Sequence, residues 1–279
     1  MQPGAETRVA LVTGAARGIG RRVVLTLAGR GYRIAVNDLR KPEGTLEELR
    51  SSGAGAISLP GDVSDEESVR RMVEAVAEEF GRIDVLVNNA GISTIVPAEE
   101  TILADWNKTL AVNLTGPFLM SREFGKEMLR RGSGSIVNLS SVAGLLGIAD
   151  RAAYNTSKHG LIGLTRTLAV EWGGRGVRVN AVCPGWVKTE MEMSVANYQN
   201  LSRPGLQRPR GSRPLRRLPS GQASRIFCAS VQGKAHRLGA GSSRPSSSGG
   251  HPYYASSRRV APPYFEATRS RARRASSLH

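Results

Sequence analysis

Residues 13–20 read Thr-Gly-Ala-Ala-Arg-Gly-Ile-Gly, and this stretch decides the fold. It follows an apolar run, Val9–Thr13, that predicts a buried strand, and it precedes a helical pattern carrying Val24 and Leu27. Glycines at such a junction allow a tight turn and a close approach of the backbone to a pyrophosphate, which the helix N-terminus attracts. A glycine-rich loop alone can be a mere turn, but its place between strand and helix favours a dinucleotide site. The candidate cofactor contacts here are Gly14, Arg17, Gly18, Ile19 and Gly20.

Outward from this stretch, the first 190 residues alternate short β-rich runs with helical patterns. The runs are continuously apolar rather than alternating, which is typical of parallel strands covered by helices on both faces. Repeated units of this kind predict an α/β domain over residues 1–195, with a Rossmann-type doubly wound parallel sheet. The six predicted strands are Val9–Thr13, Arg33–Asn37, Ala56–Pro60, Val85–Asn88, Ser135–Leu139 and Val177–Val182.

Two helix starts are predicted from capping boxes, in which a Ser or Thr is followed three residues later by Glu. Ser64 with Glu67 predicts one helix, which ends at Gly81. Thr45 with Glu48 predicts an earlier one.

A carboxylate stands at the end of the second predicted strand. Asp38 lies 18 residues after Gly20, close to the spacing of about 20 at which an acidic residue binds the adenosine ribose hydroxyls. Asp38 would repel a 2′-phosphate, whereas Arg17 and Arg40 could pair with one. The expected cofactor is therefore NAD, with NADP as the alternative. Asp38 could also be an ordinary solvated turn residue.

Tyr154 and Lys158 are four residues apart, so they share one face of a helix. A phenol with a pKa of about 10 is a poor base at neutral pH. A neighbouring ammonium and an oxidised nicotinamide would favour the phenolate, so Tyr154 could exchange a proton with an alcohol or carbonyl oxygen. Ser141 follows a predicted strand and could hold that oxygen. The ordinary alternatives are a solvated Tyr–Lys pair and a helix-capping serine.

Five motifs in order carry a family resemblance: Thr13–Gly20, Asn88–Gly91, Ser141, Tyr154–Lys158 and Pro184-Gly185. Over about residues 7–193 the chain resembles the short-chain dehydrogenases/reductases, and among them 3-oxoacyl-[acyl-carrier-protein] reductases and small alcohol dehydrogenases. The resemblance implies an oxidoreductase that transfers a hydride between NAD(P) and a secondary alcohol, ketone or acyl-thioester substrate. It also implies a homodimer or homotetramer.

The resemblance assigns roles to individual residues. Asn113, Ser141, Tyr154 and Lys158 would form a catalytic tetrad, in which Lys158 also binds the nicotinamide ribose and Asn113 holds a relay water. Asn113 could instead be a satisfied buried amide, and Asp62 a plain loop residue. The other implied cofactor contacts are Asp62 and Val63 beside the adenine, Asn89, Ala90 and Gly91 along the adenosine, and Pro184, Gly185 and Thr189 near the nicotinamide.

The net charge of +16 belongs to the last part of the chain. Residues 201–279 hold 16 Lys and Arg and one acidic residue, Glu266, which leaves a net charge of +1 for residues 1–200. Residues 1–200 therefore lack the excess of positive charge that is typical of nucleic-acid-binding proteins. Of the 79 tail residues, 31 are Gly, Pro or Ser and only 11 are Leu, Ile, Val or Phe. That composition predicts a disordered basic tail over residues 196–279.

The family resemblance ends at Met193, and the seventh strand expected of the family is not recognisable. One hypothesis is a shift of reading frame near residues 192–205, which translation of the other two frames would test. Loss of the last strand would expose a sheet edge and weaken the expected oligomer. The alternative is a genuine basic arm on an impaired or non-catalytic cofactor-binding body. Such an arm would bind nucleic acid or an acidic partner, and it is the less favoured alternative because no regular Arg-Gly-Gly or Arg-Ser repeat is present.

Cys183 and Cys228 match no metal or redox spacing, so no metal site is predicted. The chain shows neither a secretory signal nor a spanning apolar run, so a soluble cytoplasmic protein without a membrane partner is expected. The substrate pocket is expected to be mostly apolar, formed by Ile92–Val96, Leu145–Arg151 and Trp186–Val195.

Overall fold

The computed structural model describes residues 7–185, together with residues 187, 189 and 231–232. One sheet organises these residues, with the strand order β3-β2-β1-β4-β5-β6-β7. Its first six strands are parallel, and they confirm the predicted doubly wound sheet, with every strand end within one residue of its predicted place. They are β1 (Val9–Val12), β2 (Arg33–Asp38), β3 (Ala56–Pro60), β4 (Val85–Asn88), β5 (Gly134–Leu139) and β6 (Val177–Val182).

Helices cover both faces of the sheet. Among the described residues they are α1 (Gly18–Ala28), α2 (Glu43–Ser51), α3 (Glu66–Phe80), α4 (Leu103–Leu110), α5 (Gly116–Arg131) and α6 (Ala152–Gly173). A π-helical turn, Ala111–Thr115, joins α4 to α5. Single π-turns inside helices are frequent at functional sites.

Strand β1 shows why the predicted strands are apolar throughout. All four of its residues are buried. Val9 and Leu11 belong to the cluster that packs against α3, α5 and α6, whereas Ala10 and Val12 belong to the cluster on the opposite face, with α1 and α2. A strand covered on both faces cannot alternate apolar with polar residues, because neither side reaches water.

The capping box predicted at Ser64 is wrong. Helix α3 begins at Glu66, and the Asp65 carboxylate accepts from the Ser68 backbone N–H at 2.9 Å as its cap. Ser64 instead donates its hydroxyl to Asp62 at 2.7 Å. The box pattern records only spacing, whereas a cap forms at the residue where the chain leaves the extended conformation.

The box predicted at Thr45 is wrong for the same reason, since Thr45 lies inside α2 and is buried. Its hydroxyl lies within hydrogen-bond distance of two carbonyl oxygens of the glycine-rich loop, Ala15 at 3.1 Å and Ala16 at 3.2 Å. The residue therefore supports the loop instead of starting a helix.

A seventh strand, β7 (Val231–Gln232), pairs antiparallel with β6 and was not predicted. Two residues carry no hydrophobic pattern, so only the pairing identifies them. The rest of the predicted tail, residues 196–279, lies outside the described residues. The frame-shift and basic-arm hypotheses concern those residues and therefore stay hypotheses. The boundary near residue 195 therefore stays a prediction.

Within the described part of the chain, no helix is both long and apolar enough to cross a bilayer. The same residues contain no group of three or more His, Cys, Asp or Glu side chains arranged to hold a metal ion.

Candidate active site

A cavity of about 420 Å³ opens at the carboxyl ends of the parallel strands. Its lining includes Gly14 after β1, Asp38 at the end of β2, Asn89 after β4, Ser141 after β5 and Pro184 after β6. The strand order reverses between β1 and β4, and ligands of open α/β sheets bind at such a switch point. The topology therefore gathers residues that are far apart in the sequence around one cavity.

The structure brings nearly all of the predicted site residues together. Sixteen of the eighteen line this cavity. The two exceptions, Gly20 and Asn113, are buried, and they contact the lining residues Gly14 and Ile92 respectively.

The glycine-rich loop forms a cradle that side chains would fill. Gly14 and Gly18 have φ angles of +62° and +56°, which favour glycine. A Cβ atom on Gly14 would lie 2.7 Å from the Ala90 Cα, and one on Gly20 would lie 2.4 Å from the Gly14 carbonyl oxygen. Arg17, the N-cap residue of α1, makes no side-chain capping bond, and the first turn holds no acidic residue. This helix N-terminus fits the pyrophosphate of a dinucleotide.

Asn89 holds the loop from the β4 side. Its Nδ2 donates to the carbonyl oxygens of Thr13 at 2.8 Å and Gly14 at 2.9 Å. The Thr13 hydroxyl oxygen in turn accepts from the backbone N–H groups of Asn89 and Ala90, each at 3.0 Å. These bonds hold the glycine-rich loop against the end of β4.

Asp38 holds the loop from the β2 side. Its Oδ2 accepts from the Ala16 N–H and its Oδ1 from the Leu39 N–H, both at 2.9 Å. Each carboxylate oxygen has room for a second hydrogen bond. Asp38 can therefore support the loop and still bind a ribose hydroxyl, so it is more than a solvated turn residue.

Helix α6 presents Tyr154 and Lys158 to the cavity. The Lys158 Nζ lies 5.7 Å from the centroid of the Tyr154 ring and donates to the Leu139 carbonyl oxygen, at the end of β5, at 2.7 Å. Burial lowers the pKa of Lys158 from its ordinary 10.5 to about 8, because a charged amine is penalised away from water. The lysine therefore remains mostly protonated at neutral pH.

Ser141 caps a short helical turn, which was its ordinary alternative, and it also lines the cavity. Its Oγ accepts from the Ala143 N–H at 3.1 Å, which starts a short 3₁₀ turn, Val142–Gly144. Because the oxygen is the acceptor in that bond, the hydroxyl proton can still be donated to a substrate oxygen.

The Asn113 side chain is a buried amide with all its hydrogen-bonding groups engaged, which was the alternative to its proposed place in a catalytic tetrad. Nδ2 donates to the Ile92 carbonyl oxygen at 2.9 Å and to the Ser157 Oγ at 3.1 Å, and Oδ1 accepts from the Ile92 N–H at 2.8 Å. These bonds tie the loop after β4 to α6, beside Lys158. The relay-water role stays a prediction.

Two basic residues line the cavity besides Arg17 and Lys158. Lys108 on α4 was missed, whereas Arg151, just before α6 and only 9% exposed, was predicted as the end of a pocket segment but given no role of its own. Of the predicted segment Leu145–Arg151, the side chains of Leu145 and Leu146 point largely into solvent, at 43% and 57% exposure. The expectation of a mostly apolar pocket is thus incomplete, and a basic residue three positions before Tyr154 was the available signal.

A Rossmann-type sheet with a glycine-rich loop and a Ser–Tyr–Lys set in one switch-point cavity defines the class of nicotinamide-dependent oxidoreductases. The particular family follows from comparison with known sequences. The chain belongs to the short-chain dehydrogenases, because the model of that family matches residues 8–200.

Similar proteins include a dehydrogenase and a reductase. D-threitol dehydrogenase of Mycolicibacterium smegmatis is 47% identical over 186 residues, which cover 66% of this chain and 72% of the relative. The 3-oxoacyl-[acyl-carrier-protein] reductase of Synechocystis is 41% identical, with 66% and 76% covered.

The solved structures that resemble this chain likewise include those of a dehydrogenase and a reductase. A Beutenbergia cavernae protein, described as an NAD(P)-dependent gluconate 5-dehydrogenase and containing NADP, superimposes with a TM-score of 0.66. It is 39% identical, covering 71% of this chain and 80% of its own. Levodione reductase superimposes with a TM-score of 0.67 at 37% identity, with 71% and 79% covered.

The lowered pKa of Lys158 predicts a pH-dependent stability. In the unfolded chain the lysine stays protonated up to about pH 10.5, whereas in the folded protein it loses its proton above about pH 8. Between these values the unfolded state binds more protons, so stability rises with pH. Below pH 8 both states are protonated, and the cost of burying the ammonium is fully present.

We expect wild-type protein to gain about 2 kcal/mol of unfolding free energy, relative to Lys158→Met, between pH 7 and pH 9.5. Urea unfolding of both proteins without added dinucleotide at the two pH values measures this gain. Methionine is likewise unbranched, one heavy atom shorter than lysine, and cannot titrate. The difference between the two proteins therefore cancels the contribution of every other titrating group. If the difference in unfolding free energy between wild type and Lys158→Met were the same at both pH values, the lowered pKa of Lys158 would be wrong.

Proposed function

We propose that this chain transfers a hydride between NAD(P) and a secondary alcohol or ketone, with Tyr154 as the general acid and base. The observation that carries the proposal is that Ser141, Tyr154 and Lys158 line the same cavity as the glycine-rich loop. Any one of these residues could serve an ordinary structural purpose, but their convergence on a dinucleotide cradle favours catalysis.

Each side chain has a distinct task in the proposed reaction. In reduction, Ser141 donates a hydrogen bond to the carbonyl oxygen, and Tyr154 donates a proton to it. In oxidation, Tyr154 removes the proton of the alcohol, and the Lys158 ammonium favours the phenolate that does so. Bound NAD(P) would supply or accept the hydride. Asn113 donates a hydrogen bond to Ser157, the residue before Lys158 on α6, and so helps to position the lysine.

NAD is proposed as the preferred cofactor. Support comes from the Asp38 carboxylate, which lines the cavity at the end of β2 and would repel a 2′-phosphate. Arg17 also lines the cavity and opposes this preference, whereas Arg40, a described residue, does not line it. The ligand of the Beutenbergia cavernae protein is NADP, so the test must include both dinucleotides.

Replacing Asp38 with Ala is expected to reduce the preference for NADH over NADPH by about tenfold, since one charge repulsion with the 2′-phosphate is removed. The ratio of the two kcat/KM values measures it. Asp38→Asn is the matched control, because it removes the charge but keeps an acceptor for the loop. If charge sets the preference, both variants shift the ratio; an unchanged ratio in Asp38→Asn would place specificity elsewhere.

The function itself is tested by following NADH and NADPH oxidation with a panel of ketones, including 3-oxoacyl thioesters and ketoses. Turnover of any ketone supports the proposal. Tight dinucleotide binding without turnover of any panel member would favour the non-catalytic alternative. A homodimer or homotetramer, the oligomers implied by the family, is tested by light scattering on the same preparation, and a cytoplasmic location stays a prediction.

A further inference from the structure

The charges around the cavity are divided between its two ends. Its lining carboxylates are Asp38, at the end of β2, and Asp62, which follows β3, and they share that end of the cavity with Arg17. The opposite half of the sheet contributes Lys108, Arg151 and Lys158. Among the described lining residues, none on that half is acidic. The described residues at the end of the cavity that holds Tyr154 therefore carry a net positive charge, which attracts anions.

Arg151 is the basic residue best placed beside the proposed reaction. Its guanidinium carbon lies 5.9 Å from the centroid of the Tyr154 ring, about as close as the Lys158 Nζ at 5.7 Å. Lys108 is exposed, whereas Arg151 is only 9% exposed. A guanidinium with so little access to water interacts strongly with an anion, because the local dielectric constant is low.

The backbone around Arg151 is held from two directions. The Val96 N–H donates to the Asp150 carbonyl oxygen at 2.8 Å, and Val96 forms a β-bridge with Arg151. Asn155 Nδ2 donates to the Ile148 carbonyl oxygen at 2.7 Å.

Asp150 has a φ angle of +59°, unusual for a residue other than glycine. Such a conformation persists only where the surroundings impose it, and these positions cluster at ligand sites. Arg151 is thus presented to the cavity on a fixed stretch of backbone.

We propose that Arg151 is a specificity-determining residue that binds a carboxylate of the substrate, so that the chain acts on oxo acids or hydroxy acids. This inference rests on the proposed function. The planar guanidinium matches a carboxylate with two parallel hydrogen bonds, a geometry that an ammonium cannot reproduce. The positive end of α6, which starts at Ala152, adds to the attraction. The proposed substrate class is thus narrower than the secondary alcohols, ketones and acyl thioesters that the resemblance implies.

The test compares three oxo acids, pyruvate, acetoacetate and levulinate, with their methyl esters, using the full chain and its preferred reduced dinucleotide. The esters keep the ketone and remove the charge. We expect the best acid to exceed its own ester in kcat/KM by about 10- to 100-fold, the usual range for a hydrogen bond to a charged group. Arg151→Met should abolish this excess, mainly through KM, and leave the ester within about twofold of wild type.

Two further variants separate recognition from folding. Arg151→Lys keeps the charge but not the paired geometry, so it should recover only part of the preference for the acid. Arg71→Met removes one charge from the exposed surface of α3, where Arg71 is 62% exposed, and should change neither substrate. An equal loss for acid and ester in Arg151→Met and Arg151→Lys would show that Arg151 merely positions α6, and the inference would be wrong. It would also be wrong if wild type favoured the ester in all three pairs.

A binding measurement separates failure of this inference from failure of the proposed function. If the chain binds dinucleotide but reduces no ketone, the proposed function fails. Calorimetric titration of malonate into protein loaded with NAD⁺ then decides the role of Arg151. Binding to wild type that is lost in Arg151→Met and kept in Arg71→Met supports a carboxylate site, whereas absent or equal binding in all three refutes it.

Discussion

Tyr154→Phe is expected to lower kcat by about 10²- to 10⁴-fold, the range in which a positioned general acid or base contributes. The change removes only the phenolic hydroxyl that would exchange the proton. The ring itself should stay in place, because the backbone of α6 and the neighbouring Lys158, whose Nζ lies 5.7 Å from the ring centroid, are unchanged. Steady-state oxidation of NADH or NADPH with the best ketone of the panel measures the loss.

Dinucleotide affinity should be unaffected in Tyr154→Phe, and fluorescence titration with the reduced cofactor checks this. Tyr32→Phe is the matched control, because it removes a phenolic hydroxyl from a residue that packs against Arg8, away from the described lining of the cavity. Turnover near the wild-type rate in Tyr154→Phe would remove this tyrosine from its proposed role, whatever the control does.

Gly20→Ala is expected to weaken dinucleotide binding by about 5- to 150-fold, the affinity equivalent of the 1–3 kcal/mol that overpacking typically costs. The added Cβ would lie 2.4 Å from the Gly14 carbonyl oxygen and 2.5 Å from the Asn89 Nδ2. Because the first of these is a backbone atom, the loop itself must move. The dissociation constant of the reduced dinucleotide, from fluorescence titration, measures the effect.

Gly29→Ala is the control for Gly20→Ala, since it makes the same change at the other end of α1. The nearest atom to a Cβ on Gly29 is the Leu25 carbonyl oxygen at 3.5 Å, an ordinary contact. The φ angle of Gly29 is −63°, which alanine adopts freely. We expect unchanged affinity there. Equal affinity in both variants would show that the close packing at Gly20 does not shape the site.

The parallel sheet and the glycine-rich loop could be predicted because their signals are local. Each residue of β1 is buried on one face or the other, so the segment itself is apolar throughout. Gly14 and Gly18 adopt left-handed conformations that depend on their own φ angles. The spacing of Tyr154 and Lys158 likewise places both on one helix face before any neighbour is known.

Other features depend on residues distant in the sequence. Asp38 was predicted as a ribose ligand, yet its bond to Ala16, 22 residues earlier, exists only because β2 lies beside β1. The cap of α3 at Asp65 depends on backbone geometry, and the strand at Val231–Gln232 depends on pairing with β6; residue spacing specifies neither.

By itself, the sequence determined that this chain forms a nucleotide-binding α/β sheet with a Ser–Tyr–Lys set, because strand burial, glycine turns and helix faces are encoded in neighbouring residues. Only the tertiary structure decided that Asn113 is a tie between the β4 loop and α6, and that a nearly buried Arg151 stands beside Tyr154. The reason is physical: burial and hydrogen-bond partners arise where the strand order brings distant segments together, and no local pattern specifies that order.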